Sequence, residues 1–482
     1  MQRGSLFLTR SIDALTRETQ EAEGPRLRRA LGPASLVAIG LGNMVGAGIF
    51  ATIGDGVHNK AGAAVIVSFL IAGVACAFAA LCYAEFSSMV PLAGSAYTYS
   101  YATLGEFVAW IIGWDLILEY GISAAPVAST LSQNLQNLLT ATLGVHLPHW
   151  ATSAYSPSAH TVFDVYAFVA VLVFALLLSL GIRESAGTNT LLVFIKMGIL
   201  TVFILVGLQF VHPVNWRPFA PFGFHGIIQG AFTVFFAFIG FDAVTTAAEE
   251  ARNPQRDIPW GVLGALALGA LFYVSITVVL TGMQPAPKVD PGAPLAVALQ
   301  AVHRGGWAKL MDVGAIFGTI SVILTSLLGQ SRIFYVMARD GLLPKAVAVI
   351  HPRFRTPARM TMVMGFIIAI LAGLVPLDAL LSLVNIGTFG AFILVCFGVI
   401  VLRRTQPQRE RRFRAPLVPL VPALGILLSL FLIFYGSTWL VWVRFAAWLI
   451  VGLAIYFFYG YRHSEARRAL ALASPPPAQP AG

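Results

Sequence analysis

The chain has 482 residues, of which 57% are hydrophobic and only 11% charged, and its mean hydropathy is +0.80. Soluble domains carry about 25% charged residues, so the composition excludes a water-soluble globular protein and defines an integral membrane protein. The net charge of +10 would raise the question of nucleic acid in a soluble chain; here the placement of Lys and Arg decides.

Residues 1–30 form a charged segment, expected in the cytoplasm, with a short amphipathic helix over 11–19. About 30 polar residues ahead of the first apolar run argue against a cleavable signal. About 20 apolar residues suffice to cross a bilayer. The pattern predicts twelve such runs, near 34–54, 63–89, 99–136, 164–181, 189–211, 225–248, 260–282, 307–338, 359–375, 378–402, 417–436 and 438–461. The first holds Gly42-Asn43-Met44-Val45-Gly46-Ala47-Gly48-Ile49-Phe50. Its glycines each weaken a helix by roughly 1 kcal/mol relative to alanine. Two readings are open: close helix packing through small residues, or unwound backbone lining a cavity.

With residues 1–30 inside, the inner segments hold 23 of the 31 Lys and Arg, including Arg183, Arg252, Arg256, five over 339–359, six over 403–414, and Arg462, Arg467 and Arg468. The outer side has six, and Lys196 and Arg332 fall within spans. This asymmetry supports a multi-pass plasma (inner) membrane protein with both termini cytoplasmic. It also accounts for the basic balance without nucleic acid. The three cysteines lie in apolar runs and His146 and His149 stand alone in an outer loop, so neither a disulfide framework nor a metal site is expected. No cofactor motif is present, and the absence of a P-loop or HExxH pattern argues against an enzyme. The outer stretches 137–163 and 283–306 read as loops, and 462–482 as a disordered cytoplasmic tail.

The sixth run, Phe235-Phe236-Ala237-Phe238-Ile239-Gly240-Phe241-Asp242, is again a poor continuous helix. It opens a second group of five crossings (225–402) as the glycine-rich stretch opens the first (31–211), with 417–461 supplying two more. An odd number of crossings inverts the second group. Interrupted helices at matching positions of inverted halves point to a transporter's central site. The chemistry suits a zwitterion. Amides of Val45, Gly46, Ala47, Gly48 and Ile49 at a half-helix start can hold a carboxylate. Carbonyls around Phe236, Ala237 and Ile239 can accept from an ammonium. Phe235, Phe236 and Phe238 are candidates to cover the site, or plain packing.

Several motifs in order resemble the amino acid–polyamine–organocation superfamily, and within it the cationic amino acid transporters of the bacterial twelve-helix type. They are Leu31-Gly32 with Gly46-Ala47-Gly48-Ile49-Phe50, Tyr83-Ala84-Glu85-Phe86 with Pro91 and Gly94-Ser95-Ala96-Tyr97, Gly113-Trp114-Asp115 to Glu119-Tyr120, Phe236 to Asp242, Glu249 to Pro259, and Met337 to Pro344. The resemblance implies an all-α LeuT-like 5+5 inverted repeat with broken helices 1 and 6 plus two additional helices. It also implies a secondary transporter of L-amino acids.

Charge inside a membrane is costly and usually functional. Lys196 either snorkels or caps carbonyls structurally or, as the resemblance implies, replaces a sodium ion beside the first break; its desolvated amine is also a candidate to load and release a proton. Asp242 is a candidate for substrate contact, gating or a polar network. Glu119 is a candidate to attract a cationic side chain, or part of an interhelical network with Asp115 on the same face. Glu85 and Arg332 read as gate or packing residues. Ser326 leaves room for a large substrate, as in the arginine and lysine carriers that the chain resembles. The expectation is a proton-coupled, sodium-independent importer of L-amino acids, cationic ones included, in contact with membrane lipids. The alternatives are a broad neutral permease, an exchanger or uniporter and, outside transport, a channel or receptor-like bundle.

Overall fold

The computed structural model describes residues 6–9, 31–46, 48–89, 95–157, 159–181, 186–354 and 356–468. Ala47, Pro91, Gly94, Arg183, Arg355, the 11–19 helix and residues 469–482, all invoked above, lie outside them. The described chain is helical, with two isolated bridges, Leu31 with Ala251 and Ser156 with Thr161, and no strand among the described residues. The first group comprises α1 (Pro33–Met44), α2 (Val65–Met89), α3 (Ser95–Thr103), α4 (Glu106–Leu116), α5 (Ala124–Leu143), α6 (Val165–Ser179) and α7 (Ala186–Gly207). The second comprises α8 (Gly223–Val234), the one-turn α9 (Ala243–Thr246), α10 (Pro254–Met283), α11 (Pro294–Ala301), α12 (Gly305–Arg339), α13 (Ala358–Leu374) and α14 (Leu377–Thr405). Two more follow, α15 (Leu420–Gly436) and α16 (Trp439–Ile455).

Local chemistry sets these boundaries. Pro33 and Pro254 open α1 and α10, where the missing N–H has no partner to lose. Asp164 caps α6, accepting from the Ala167 amide at 3.0 Å and the Ser132 hydroxyl at 2.6 Å. Among the described residues, eight helical stretches are long and apolar enough to cross a membrane, and α1, α6, α13 and α15 are shorter apolar helices. Leu70, Leu191, Phe194, Leu271 and Phe366 are exposed on their outer faces. In water such a surface would aggregate; in a bilayer it faces its solvent.

The broadest helix contacts join α2 with α10, α6 with α13, and α5 with α12. Each pair takes one helix from the first group and one from the second. The interrupted segments meet as well, the turn Gly48–Thr52 lying against Phe235–Phe238. At the other end of α4, Glu106 is fully buried and accepts from Tyr456 Oη (2.9 Å), Arg467 Nε (2.8 Å), Tyr101 Oη (3.2 Å) and the Ser464 hydroxyl. The amides of Glu106 and Phe107 donate to the carbonyls of Leu8 and Leu6. Both ends of the chain thus supply partners for groups that a helix start leaves open.

Two expectations are corrected here. Residues 462–468 are not a disordered tail: Tyr461–His463 are helical, and Ser464 and Arg467 are held on Glu106. The stretch 283–306 is not only loop, since Pro294–Ala301 is helical, with apolar Leu295, Ala298 and Leu299 buried.

Candidate functional site

Both interruptions are present as backbone geometry. α1 stops at Met44, and Val45 is extended (φ −80, ψ 92). Helical hydrogen bonding resumes as a π-helical turn at Gly48–Thr52. In the second, a 3-10 turn at Phe235–Phe238 gives way to an extended Ile239 (φ −60, ψ 135). Gly240 then takes φ +108, a conformation that side chains disfavour. A Cβ there would lie 2.9 Å from Asn43 Cβ, and one on Gly48 would overlap the Ala237 backbone. Small residues therefore let the two broken segments touch. The packing reading and the unwound reading of these glycines hold together.

Beside this contact lies a small cavity. Gly48, Asn43 and Met44 line it from the first break, and Phe236, Ile239, Gly240 and Ala243 from the second. Glu119, Tyr120, Ser123 and Val127 form another wall, and Val322 and Ser326 of α12 close it. Glu119 sits in a π-helical turn, Ile117–Ile122, between α4 and α5; such turns recur at functional sites because the extra residue re-aims the side chains. Asp115, four residues before Glu119, stays close enough for its charge to act on it. Asp115 is buried at the end of α4 and does not line the cavity.

Among the lining residues the one with an ionisable carboxyl is Glu119. Glu119 is 3% exposed, and neither carboxylate oxygen has a hydrogen-bond partner. Asp242 and Thr388 are neighbours, but neither contact has hydrogen-bond geometry. Asp242 Oδ2 accepts from Tyr120 Oη at 2.9 Å, and its side chain does not cap α9. Two carboxyl groups side by side favour the arrival of positive charge.

Of the residues expected to bind substrate, Gly48, Glu119, Phe236, Ile239 and Ser326 line the cavity. Val45, Ile49 and Ala237 are buried around it without lining it. Gly46 packs on α12, where a Cβ would come 2.5 Å from Val322 Cγ2. The carbonyls expected to take an ammonium are partly engaged: Phe236 accepts from the Ile239 amide at 3.2 Å and Ala237 from Tyr273 Oη at 2.8 Å, which leaves each one lone pair. Phe238 faces away, against Phe69 and Tyr273, and Phe235 stacks on Phe389 at 3.7 Å. Lys196 is 1% exposed, so it does not snorkel, and its Nζ donates to Gly42 O at 3.0 Å in the last turn of α1. Glu85 is held by Arg403 (2.7 and 2.9 Å) and Arg411 (3.2 Å), and Arg332 is exposed on α12. The sequence reading assigned no role to Asn43, Tyr120, Ser123, Val127 or Val322. Only Tyr120, next to Glu119, carried a signal; the others are ordinary residues of apolar runs.

Comparison with known proteins places the molecule among membrane permeases. Residues 31–459 match the amino acid permease family, and the chain belongs to that family within the amino acid–polyamine–organocation superfamily. It is 45% identical over 404 residues to a methylthioribose transporter of Bacillus subtilis (strain 168), covering 84% of this chain and 87% of that one. It is equally 45% identical over 410 residues to the branched-chain amino acid permease BcaP of the same organism, with the same shares covered. A vacuolar cationic amino acid transporter 2 of Arabidopsis thaliana is 40% identical over 359 residues, which are 73% of this chain and 56% of that one. These relatives are carriers, not enzymes.

Proposed function

We propose that the protein is a secondary transporter that imports L-amino acids by alternating access across the plasma membrane. The observation that carries this is the meeting of two backbone interruptions beside a cavity. Such sites use half-helix ends to hold charged substrate groups. The substrate carboxylate is assigned to the turn starting at Gly46–Ile49, and the ammonium to the Ile239 side, near Asp242. The substrate side chain extends towards Ser326, Val322 and Glu119.

Twelve crossings follow if α1 continues into the Gly48–Met89 stretch, which then contains the rest of the first crossing and the whole second. The pairing of α2 with α10, α5 with α12 and α6 with α13 is what two intertwined groups of five would produce and supports the 5+5 reading; the placement of Lys and Arg supports cytoplasmic ends. Lys196 is assigned the place of a sodium ion: its ammonium satisfies a carbonyl left open by the end of α1. Proton exchange at that amine as access alternates would couple import to a proton gradient.

Cationic substrates are favoured by Glu119, whose unsatisfied buried carboxylate is matched by a guanidinium or ammonium. A neutral range is the second reading. It is favoured by the apolar walls of Phe236, Ile239, Val127 and Val322, and by the branched-chain permeases among the relatives. Uptake of labelled arginine, lysine, leucine and alanine into proteoliposomes, with and without an inward proton gradient, tests these points. Saturable, stereoselective uptake above equilibrium is expected, and Lys196→Ala is expected to retain equilibrium exchange while losing gradient-driven accumulation. No uptake of any amino acid would overturn the proposal; full accumulation by Lys196→Ala would remove the lysine coupling.

A further inference from the structure

The connection between α14 and α15 holds six arginines over 403–414 against a single acid, Glu410. Two of them are engaged inward. Arg403 forms a fork on Glu85 at 2.7 and 2.9 Å, and the buried Arg411 lies 3.2 Å from the same carboxylate. Arg411 also donates to loop carbonyls, among them those of Arg409 (2.8 Å) and Gln406 (2.7 Å). Burial lowers the Arg411 pKa; Glu85 works against that, and the like charges of Arg403 and Arg414 add to it. One carboxylate therefore stands between two guanidiniums, and the loop keeps an excess of positive charge. Arg404, Arg412 and Arg414 are exposed. The contact of Arg412 with Glu410 is 4.0 Å long between two exposed groups, too weak to neutralise it.

An apolar stripe begins next to these arginines. Leu417, Leu420, Leu424 and Leu427 are 72%, 54%, 38% and 62% exposed. The spacing of Leu420, Leu424 and Leu427 puts these three on one face of α15, and Leu417 precedes the helix on the side of the arginine loop. A soluble anion has no use for such a stripe. A molecule with a phosphate at one end and an acyl chain at the other matches both parts.

We propose that this surface binds an anionic phospholipid, its headgroup phosphate among Arg404, Arg412 and Arg414 and an acyl chain along the leucines of α15. The inference does not depend on the amino acid reading, and these side chains are not in the substrate cavity. Juxtamembrane arginines contribute about fivefold each in affinity for anionic lipid.

Native mass spectrometry tests this on the full-length protein released from micelles that contain equal phosphatidylglycerol and phosphatidylcholine. The wild type is expected to retain phosphatidylglycerol at least about fivefold over phosphatidylcholine. Arg404→Gln/Arg412→Gln/Arg414→Gln is expected to lose that preference, and the corresponding triple lysine variant to keep most of it. Equal retention of the two lipids by wild type, or an unchanged preference in the glutamine triple, would overturn the proposal. If the triple variant does not fold, the single variants are read, each expected to lower the ratio about fivefold; no change in any of them has the same overturning force. Excess glycerol 3-phosphate should leave the lipid bound. Displacement by it would show a soluble-anion site instead.

Discussion

A Cβ at Gly46 would lie 2.5 Å from Val322 Cγ2, so a substitution there probes packing before it probes recognition. Overpacking of this kind costs about 1–3 kcal/mol. Gly46→Ala is therefore expected to lower the Tm of the purified protein, and Val322→Ala in the same chain to restore much of it. Restoration of Tm together with loss of substrate binding would separate the two roles of this glycine; no rescue would show that the overlap with Val322 is not what destabilises. The glycine-rich stretch was legible as a break because glycine is a poor helix former. What each glycine touches was not, because Val322 lies 276 positions away and nothing local encodes that contact. Glu119 was legible because a carboxylate in an apolar run stands out. For Glu119→Gln, competition assays are expected to show arginine and lysine losing at least about tenfold, roughly 1.4 kcal/mol, more affinity than leucine. An equal loss for all three would assign Glu119 to the interhelical network.

At the scale of elements, the π-helical turns Gly48–Thr52 and Ile117–Ile122 matter most. A helical extrapolation over the eight residues from Gly113 to Tyr120 sets Asp115 and Glu119 on one face, but the turn Ile117–Ile122 that carries Glu119 is π-helical rather than α-helical. A one-residue insertion in the hydrogen-bond ladder leaves no mark on hydrophobic patterning, which is why it was not read. The C-terminal end was misread for a similar reason. After α16 the chain turns polar, which resembles a solvated tail, yet Arg467 finds the buried Glu106 more than 350 positions earlier. Removing one partner of a buried ion pair costs about 3–5 kcal/mol. Arg467→Ala is accordingly expected to lower thermal stability strongly and to expose residues 6–9 to proteolysis, since their carbonyls hold the amides beside Glu106. Wild-type stability in that variant would show the contact to be a surface pair of little weight.

At the scale of the molecule, membrane class, the two breaks and their pairing followed from composition, periodicity and charge placement. The eight long apolar stretches and four shorter ones agree with that class. The cavity wall itself is assembled from residues of both groups of helices, so its shape was not written in any one stretch. That the cavity is where the substrate sits can be tested at Ser326, which lines it and is 8% exposed. The native cysteines Cys76, Cys82 and Cys396 are buried, so Ser326→Cys supplies the one cavity thiol for a small membrane-permeant maleimide. The labelling rate is expected to fall at least about tenfold when a transported L-amino acid is present at saturation, and to be unchanged by its D-enantiomer. A labelling rate indifferent to every amino acid that the protein transports would contradict a substrate site between the two interrupted helices.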